Sequence, residues 1–248
     1  MTAHGALGSL APLAERELRA YYAFTAAVAD PERADRCRAL LAAEEREREQ
    51  RFRFVEDRQS YLLAHALVRS VLGQLCGAEP AALRFEAGPH GRPELCWPER
   101  APRLRFNLSH TRGLVACAVA LERDVGIDVE HIDRRVDIDQ VARSVFSDAE
   151  RSALGRLAQE RRRLRFFELW TLKEAYIKAV GKGLALPLRA ITLDLDSPRA
   201  PRIAFDAPLD DSPDAWWLDV RRQGPAHVLA MALKRSDPSP ITLQEWVL

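Results

Sequence analysis

An α+β fold is the class this sequence predicts, and three observations predict it. The first half carries a long apolar-periodic helix pattern that ends at Gly77, followed by strand patterns over residues 104–108 and 114–121. The second half repeats that order, with helix signals as far as Gly181 and strand patterns over 191–195, 202–205, 216–221 and 227–233. Helices and strands thus come in separate runs, without the strict alternation that builds a parallel sheet. No short-period repeat runs through the chain.

Residues 31–53, dominated by Arg, Glu and Ala, predict a helix with a broad solvated face. Asp57 can cap the next helix, whose apolar positions include Leu62, Leu63, Ala66, Leu67, Val71, Leu72 and Leu75. A short strand over 83–86 and a turn over 88–93 follow. Beyond the two apolar strands, Glu122-Arg-Asp124 turns the chain, and 125–129 is again extended with Gly126 inside it. A helix is expected over 138–146, and Ser147-Asp-Ala-Glu150 matches a capping box that opens another. The basic run Arg161-Arg-Arg-Leu-Arg165 leads into a helix around 170–180, stopped by Gly181 and Gly183. An apolar tail over 241–248 closes the chain.

The 248 residues suffice for one large or two modest domains, and 47% hydrophobic with 29% charged side chains describe a soluble globular protein. Thirty-seven basic against thirty-six acidic side chains leave a net charge of +1, so no global field points to nucleic acid or an anionic membrane. Cys37, Cys76, Cys96 and Cys117 lie far apart without zinc spacing and read as free thiols. The first residues lack a basic lead-in and a sustained apolar run, and no stretch reaches membrane-span length, so the cytoplasm is the expected compartment.

The stretch Trp170-Thr-Leu-Lys-Glu-Ala-Tyr-Ile-Lys178 carries the chemistry. Trp170, Lys173, Glu174, Ile177, Lys178 and Gly181 fall on one side of a helix, mixing an aromatic ring with charges that a core face would avoid. The same residues also read as a surface helix with an i,i+4 Glu174–Lys178 pair. In the strand before it, alternation sends Asp128 and Glu130 to one face. With Glu174 they make three hard oxygen donors of the kind Mg²⁺ takes. Gly126 marks a close approach of something to that strand. Phe106-Asn-Leu-Ser-His110 ends an apolar strand with hydrogen-bonding side chains suited to a local anion contact. Neither G-x-S-x-G, a Walker loop nor G-x-G-x-x-G is present, which removes support for acyl hydrolase, P-loop and dinucleotide chemistry.

Gly91-Arg-Pro93, Phe106-Asn-Leu-Ser-His110, Gly126-Ile-Asp-Val-Glu130 and Trp170-x-x-Lys-Glu-Ala-x-x-Lys178 with Gly-Lys-Gly-Leu184 stand in the order and approximate spacing of the Sfp-type phosphopantetheinyl transferases. The resemblance covers roughly residues 50–190 and includes the helix around 62–71. It implies Mg²⁺-dependent transfer of phosphopantetheine from coenzyme A to a serine of an apo acyl or peptidyl carrier protein, releasing adenosine 3',5'-bisphosphate. It implies Asp128, Glu130 and Glu174 as metal ligands, Glu174 as the base and Lys178 against the phosphates, with Lys173 a second charge partner. Arg92, Ser109 and His110 would meet the coenzyme 3'-phosphate, and Arg53 and Arg58 are candidate basic contacts. Many relatives carry lysine at the place of Arg92, and arginine can bind the same phosphate in a fork.

The implied fold is a monomeric pseudo-dimer of two similar α+β halves with the active site at their interface, divided near Glu122 into 1–122 and 123–248. The alternatives are a metal-dependent phosphohydrolase of a nucleotide or coenzyme A, and a non-catalytic carrier-binding module. Arg134, Arg135 and Arg161 to Arg163 are a candidate docking patch for an acidic carrier helix.

Overall fold

The computed structural model describes residues 10–15, 17–88, 91–98, 103–181, 183, 186–197, 200–234 and 241–247. In chain order these form β1 (Leu18–Phe24), α1 (Pro31–Leu40), α2 (Ala43–Gln50), α3 (Val55–Cys76), β2 (Arg84–Ala87), β3 (Pro93–Trp97), β4 (Leu104–Thr111) and β5 (Leu114–Leu121). There follow β6 (Val125–His131), α4 (Ile138–Val145), α5 (Asp148–Gly155), α6 (Gln159–Val180), β7 (Ile191–Asp194), β8 (Arg202–Phe205), β9 (Trp216–Gln223), β10 (His227–Lys234) and β11 (Ile241–Glu245). The class is α+β. Two compact units divide it, one of Met1–Arg123 with Ser239–Leu248 and one of Asp124–Pro238.

The first unit is built on a four-stranded sheet in the order β11-β1-β5-β4, with β2 and β3 as a separate hairpin. Leu62, Leu63, Leu67, Val71 and Leu72 of α3 share a buried cluster with Val115, Cys117 and Val119 of β5. That matches the apolar stripe of the sequence, and the helix ends where expected, at Gly77 in the left-handed region (φ 64°). Its start differs: α3 opens at Val55, and Asp57 lies in the first turn, where its charge complements the helix dipole. The single helix expected over 31–53 is two, because the chain turns extended at Leu41 and Ala42. Strands β1 and β3 have no counterpart in the sequence pattern.

The tail was expected in the second half, and there the structure differs. β11 pairs in parallel with β1, from Leu18 opposite Ile241 to Tyr22 opposite Glu245, and Trp246 is buried in the first unit's core. The hydrogen bond from Trp246 N to Tyr22 O at 2.7 Å extends the pairing.

The second unit holds a three-stranded antiparallel sheet in the order β6-β10-β9 and the hairpin β7-β8. Helix α6 covers the sheet, with Phe166, Leu169, Leu172, Tyr176 and Ile177 clustered against Val228, Ala230 and Ala232 of β10. The capping box is present: Ser147 Oγ accepts from Glu150 N at 3.3 Å and Glu150 Oε2 from Ser147 N at 2.8 Å. All four cysteines are free, and burial pushes the Cys37 thiol up to about 12. Among the described residues no helix is long and apolar enough to cross a membrane.

Candidate active site

The second unit brings one face of α6 onto β6, and Gly126 sets how close they come. A Cβ at Gly126 would stand 1.9 Å from Ala175 O and 2.6 Å from Ala179 N, so a side chain there would collide with the helix backbone. Small residues at 175 and 179 complete the contact, and the close approach expected of Gly126 is to α6. Asp128 and Glu130, two and four residues further along β6, are 6% and 8% exposed.

Three side chains one turn apart on α6 meet those carboxylates. Trp170 donates its indole N–H to Glu130 Oε1 at 3.0 Å. Lys178 places its ammonium 2.6 Å from Asp128 Oδ1 and 3.3 Å from Ile127 O. Glu174 lies between them on the i, i+4, i+8 stripe. Burial pushes the Glu174 carboxyl up to about 7, the charges of Asp128 and Glu130 add to the rise, and Lys178 and Arg134 oppose it. Glu130 is raised as well, by burial and then by Asp128, against Arg134 and Trp170. Trp170 therefore orients a carboxylate.

The helix face read from the sequence divides in two. Lys173 is fully buried on the other side of α6, its ammonium 2.7 Å from Glu150 Oε2 and donating to Val145 O, Leu188 O and Ile191 O at 3.0, 2.9 and 2.7 Å. An ammonium has three protons, so these partners account for its donors, and the expectation that Lys173 meets coenzyme phosphates is corrected.

Three of the five expected docking arginines make contacts within the unit, and Arg135 and Arg161 are exposed. Arg134 reaches Glu130 Oε1 at 2.6 Å, Arg162 pairs with Asp139, and Arg163 donates to Ile132 O and Arg134 O at 2.6 and 2.7 Å. Arg163 thus holds the turn from which Arg134 reaches the acids, a role that no spacing in the sequence reveals.

The expected phosphate contacts belong to the first unit. Arg92 donates to Phe106 O at 3.0 Å, which draws it to β4 three residues ahead of Ser109. Ser109 is buried and His110 exposed, on opposite sides of the strand as adjacent residues must be. Arg53 is exposed on the α2–α3 connection with its guanidinium over the Phe54 ring, and Arg58 reaches Glu49 at 3.7 Å. Lys182 and Leu184 of the glycine-rich motif lie outside the described residues, as do Pro89 and His90 of the turn before Arg92.

The donor set of Asp128, Glu130 and Glu174 fits Mg²⁺ in its chemistry. All three are hard oxygen donors, and the repulsion from Asp128 and Glu130 that adds to burial in raising Glu174 is what a bound cation would relieve. Among the described residues, no three His, Cys, Asp or Glu side chains are gathered in coordinating positions; Lys178 and Arg134 stand at Asp128 and Glu130.

Two family profiles match the chain: the 4'-phosphopantetheinyl transferase superfamily over residues 124–232, and the 4'-phosphopantetheinyl transferase N-terminal family over 30–122. The chain belongs to the 4'-phosphopantetheinyl transferase superfamily. Within it, similarity to two Bacillus subtilis proteins over most of their length marks the Sfp type. It is 32% identical to the 4'-phosphopantetheinyl transferase ffp, over 86% of this chain and 91% of that one. It is 30% identical to the transferase Sfp of strain 168, over 84% of this chain and 89% of that one. The 4'-phosphopantetheinyl transferase HetI of Nostoc is 37% identical over 59% of this chain, and the match spans 62% of HetI. Among solved structures, a Bacillus anthracis holo-(acyl-carrier-protein) synthase matches 46% of this chain and 96% of its own at 21% identity, with a TM-score of 0.38.

Proposed function

We propose that this chain transfers the phosphopantetheine group of coenzyme A to a serine of an apo carrier protein, releasing adenosine 3',5'-bisphosphate, with Asp128, Glu130 and Glu174 holding Mg²⁺. The observation that carries the reading is Glu174: a half-buried carboxyl at about 7, near two further carboxylates and on one helix face with a lysine. A base with such a value shares its proton readily near neutral pH, which suits it to take the proton of a serine hydroxyl. Bound Mg²⁺ would neutralise the pyrophosphate charge as the serine oxygen attacks the β-phosphate. Lys178 supplies positive charge at the same acids, and Trp170 and Arg134 hold Glu130 in place.

The pseudo-dimer belongs to this proposal. Each unit's pairing of a 22-residue helix with a mostly antiparallel sheet supports it. The first unit would contribute Arg53, Arg92, Ser109 and His110 to coenzyme A, the second its carboxylates and Lys178. The expected setting is a monomer in the cytoplasm.

Incubation with coenzyme A, Mg²⁺ and a panel of apo acyl and peptidyl carriers tests the proposal by mass spectrometry. A gain of one phosphopantetheine on a carrier is the expected result. No gain across the panel overturns the transfer, and bisphosphate release without a carrier indicates a phosphohydrolase instead.

A further inference from the structure

The pair formed by Lys173 and Glu150 takes no part in the site, yet it lies beside it in the sequence and at the centre of the second unit's connections. Glu150 uses both oxygens: Oε2 accepts from Ser147 N at 2.8 Å and meets Lys173, while Oε1 accepts from Leu193 N at 2.8 Å. Lys173 donates to Ile191 O. Residues 191 and 193 are alternate positions of β7, so their backbone groups point to the same edge. The opposite edge pairs with β8. The two side chains thus serve β7 as a neighbouring strand would, one accepting an N–H and the other donating to a C=O. The same ammonium also binds the last residue of α4, through Val145 O, and the chain entering β7, through Leu188 O.

Stability alone does not account for such a pair, because apolar side chains of similar volume commonly serve a buried position as well or better. What the pair adds is direction. Successive residues on a helix turn by about 100°, so anchoring Lys173 toward β7 determines where Glu174 points. On another side of α6, Gly126 sets its distance from β6.

We propose that the buried Lys173–Glu150 pair is a positioning element that sets the rotation of α6 and thereby holds the Glu174 carboxyl beside Asp128 and Glu130. This rests on the role given to Glu174 above. Lys173 acts through Glu174 and touches no substrate.

The test compares wild type, Lys173→Met and Glu150→Gln in the carrier assay, with hydrogen exchange over residues 188–193 as a readout independent of activity. Displacing a reacting group by about 1 Å costs on the order of 100-fold, so Lys173→Met is expected to lose about that much in kcat. Its KM for coenzyme A should stay within about twofold, as no binding contact is removed. Exchange at Leu193 should be slow in wild type and faster in Lys173→Met, and Lys173→Arg should recover part of kcat. A rise in KM with kcat intact would make Lys173 a substrate contact and overturn the proposal. So would unchanged kcat in a folded variant whose Leu193 exchange has accelerated. If Lys173→Met does not fold, Glu150→Gln, which keeps side-chain shape and a carbonyl for Leu193, decides: unchanged kcat overturns. If wild type modifies no carrier, it is the proposed function that fails; the exchange at Leu193 still decides whether the pair caps β7, and fast exchange in wild type overturns the cap.

Discussion

Glu174 has two separable properties, a place in the site and a cost to the fold. Its folded-state value near 7 lies above the ordinary 4.5, so the native state disfavours its ionised form. Its protonated form is fully compatible with the fold below the unfolded value, and the cost of ionisation grows as pH rises from about 4.5 to about 7. Glu174→Gln removes that cost. With a chelator present, the variant should be at least as stable as wild type at pH 8, with a smaller loss of thermal midpoint between pH 5 and pH 8; a clear drop in stability at both would contradict the assignment. The place of Glu174 on α6, one turn from Trp170 and one from Lys178, was legible from helical spacing. Lys173 was not, for a geometric reason. Five residues separate it from Lys178, which at about 100° each leaves them about 140° apart around the axis, too wide an arc for one face. Only the Glu150 carboxylate and the β7 edge, both remote in sequence, show which side Lys173 takes.

At the scale of elements, contact between α6 and β6 depends on a missing side chain. Gly126→Ala would drive a methyl group into Ala175 O and Ala179 N, which are backbone atoms and cannot step aside. The expected cost is about 3 kcal/mol or more, with loss of transfer, measured by denaturant unfolding and the carrier assay. Wild-type stability would show that α6 sits further from β6. In the first unit, α2 is tied to α3 by Glu45, which accepts from His65 Nδ1 at 2.8 Å and Arg69 Nε at 2.5 Å. Burial pushes the Glu45 carboxyl up, but the hydrogen bonds and charges of His65 and Arg69 outweigh it and hold the group at about 2. A depressed carboxyl stabilises the fold above its unfolded value and loses that contribution as pH falls, here from about 4.5 to about 2. Glu45→Gln should lower the thermal midpoint at pH 7 and leave a shallower decline on acidification; an unchanged acid limb would contradict the clasp. Elements with strong period, such as α3 and β5, were readable from sequence. β1 was not, because Leu-Arg-Ala-Tyr-Tyr-Ala-Phe lacks clean alternation and its burial comes from its place between β11 and β5.

Across the whole molecule, two units account for the long chain, and the return of the tail to the first is the feature that local pattern could not reveal. Parallel pairing of β1 with β11 joins residues more than two hundred positions apart, and nothing in either strand names its partner. Trp246 is the anchor of that return, 4% exposed in the first unit's core. Trp246→Ala should cost about 3–5 kcal/mol and speed hydrogen exchange in β1 and β11 first, with β6 and β10 less affected. Equal loosening of both units would contradict the separation. The proposal joins these scales: one carboxylate on α6, near two on β6, would make the second unit a Mg²⁺-dependent transferase centre. The most direct measurement follows the mass of an apo carrier incubated with coenzyme A and Mg²⁺, using wild type and Glu174→Gln side by side, with a chelator arm for wild type. One added phosphopantetheine with wild type, none with chelator, and a rate at least about 100-fold lower with Glu174→Gln is the expected result. Equal rates in wild type and Glu174→Gln, or transfer undiminished by the chelator, would contradict it.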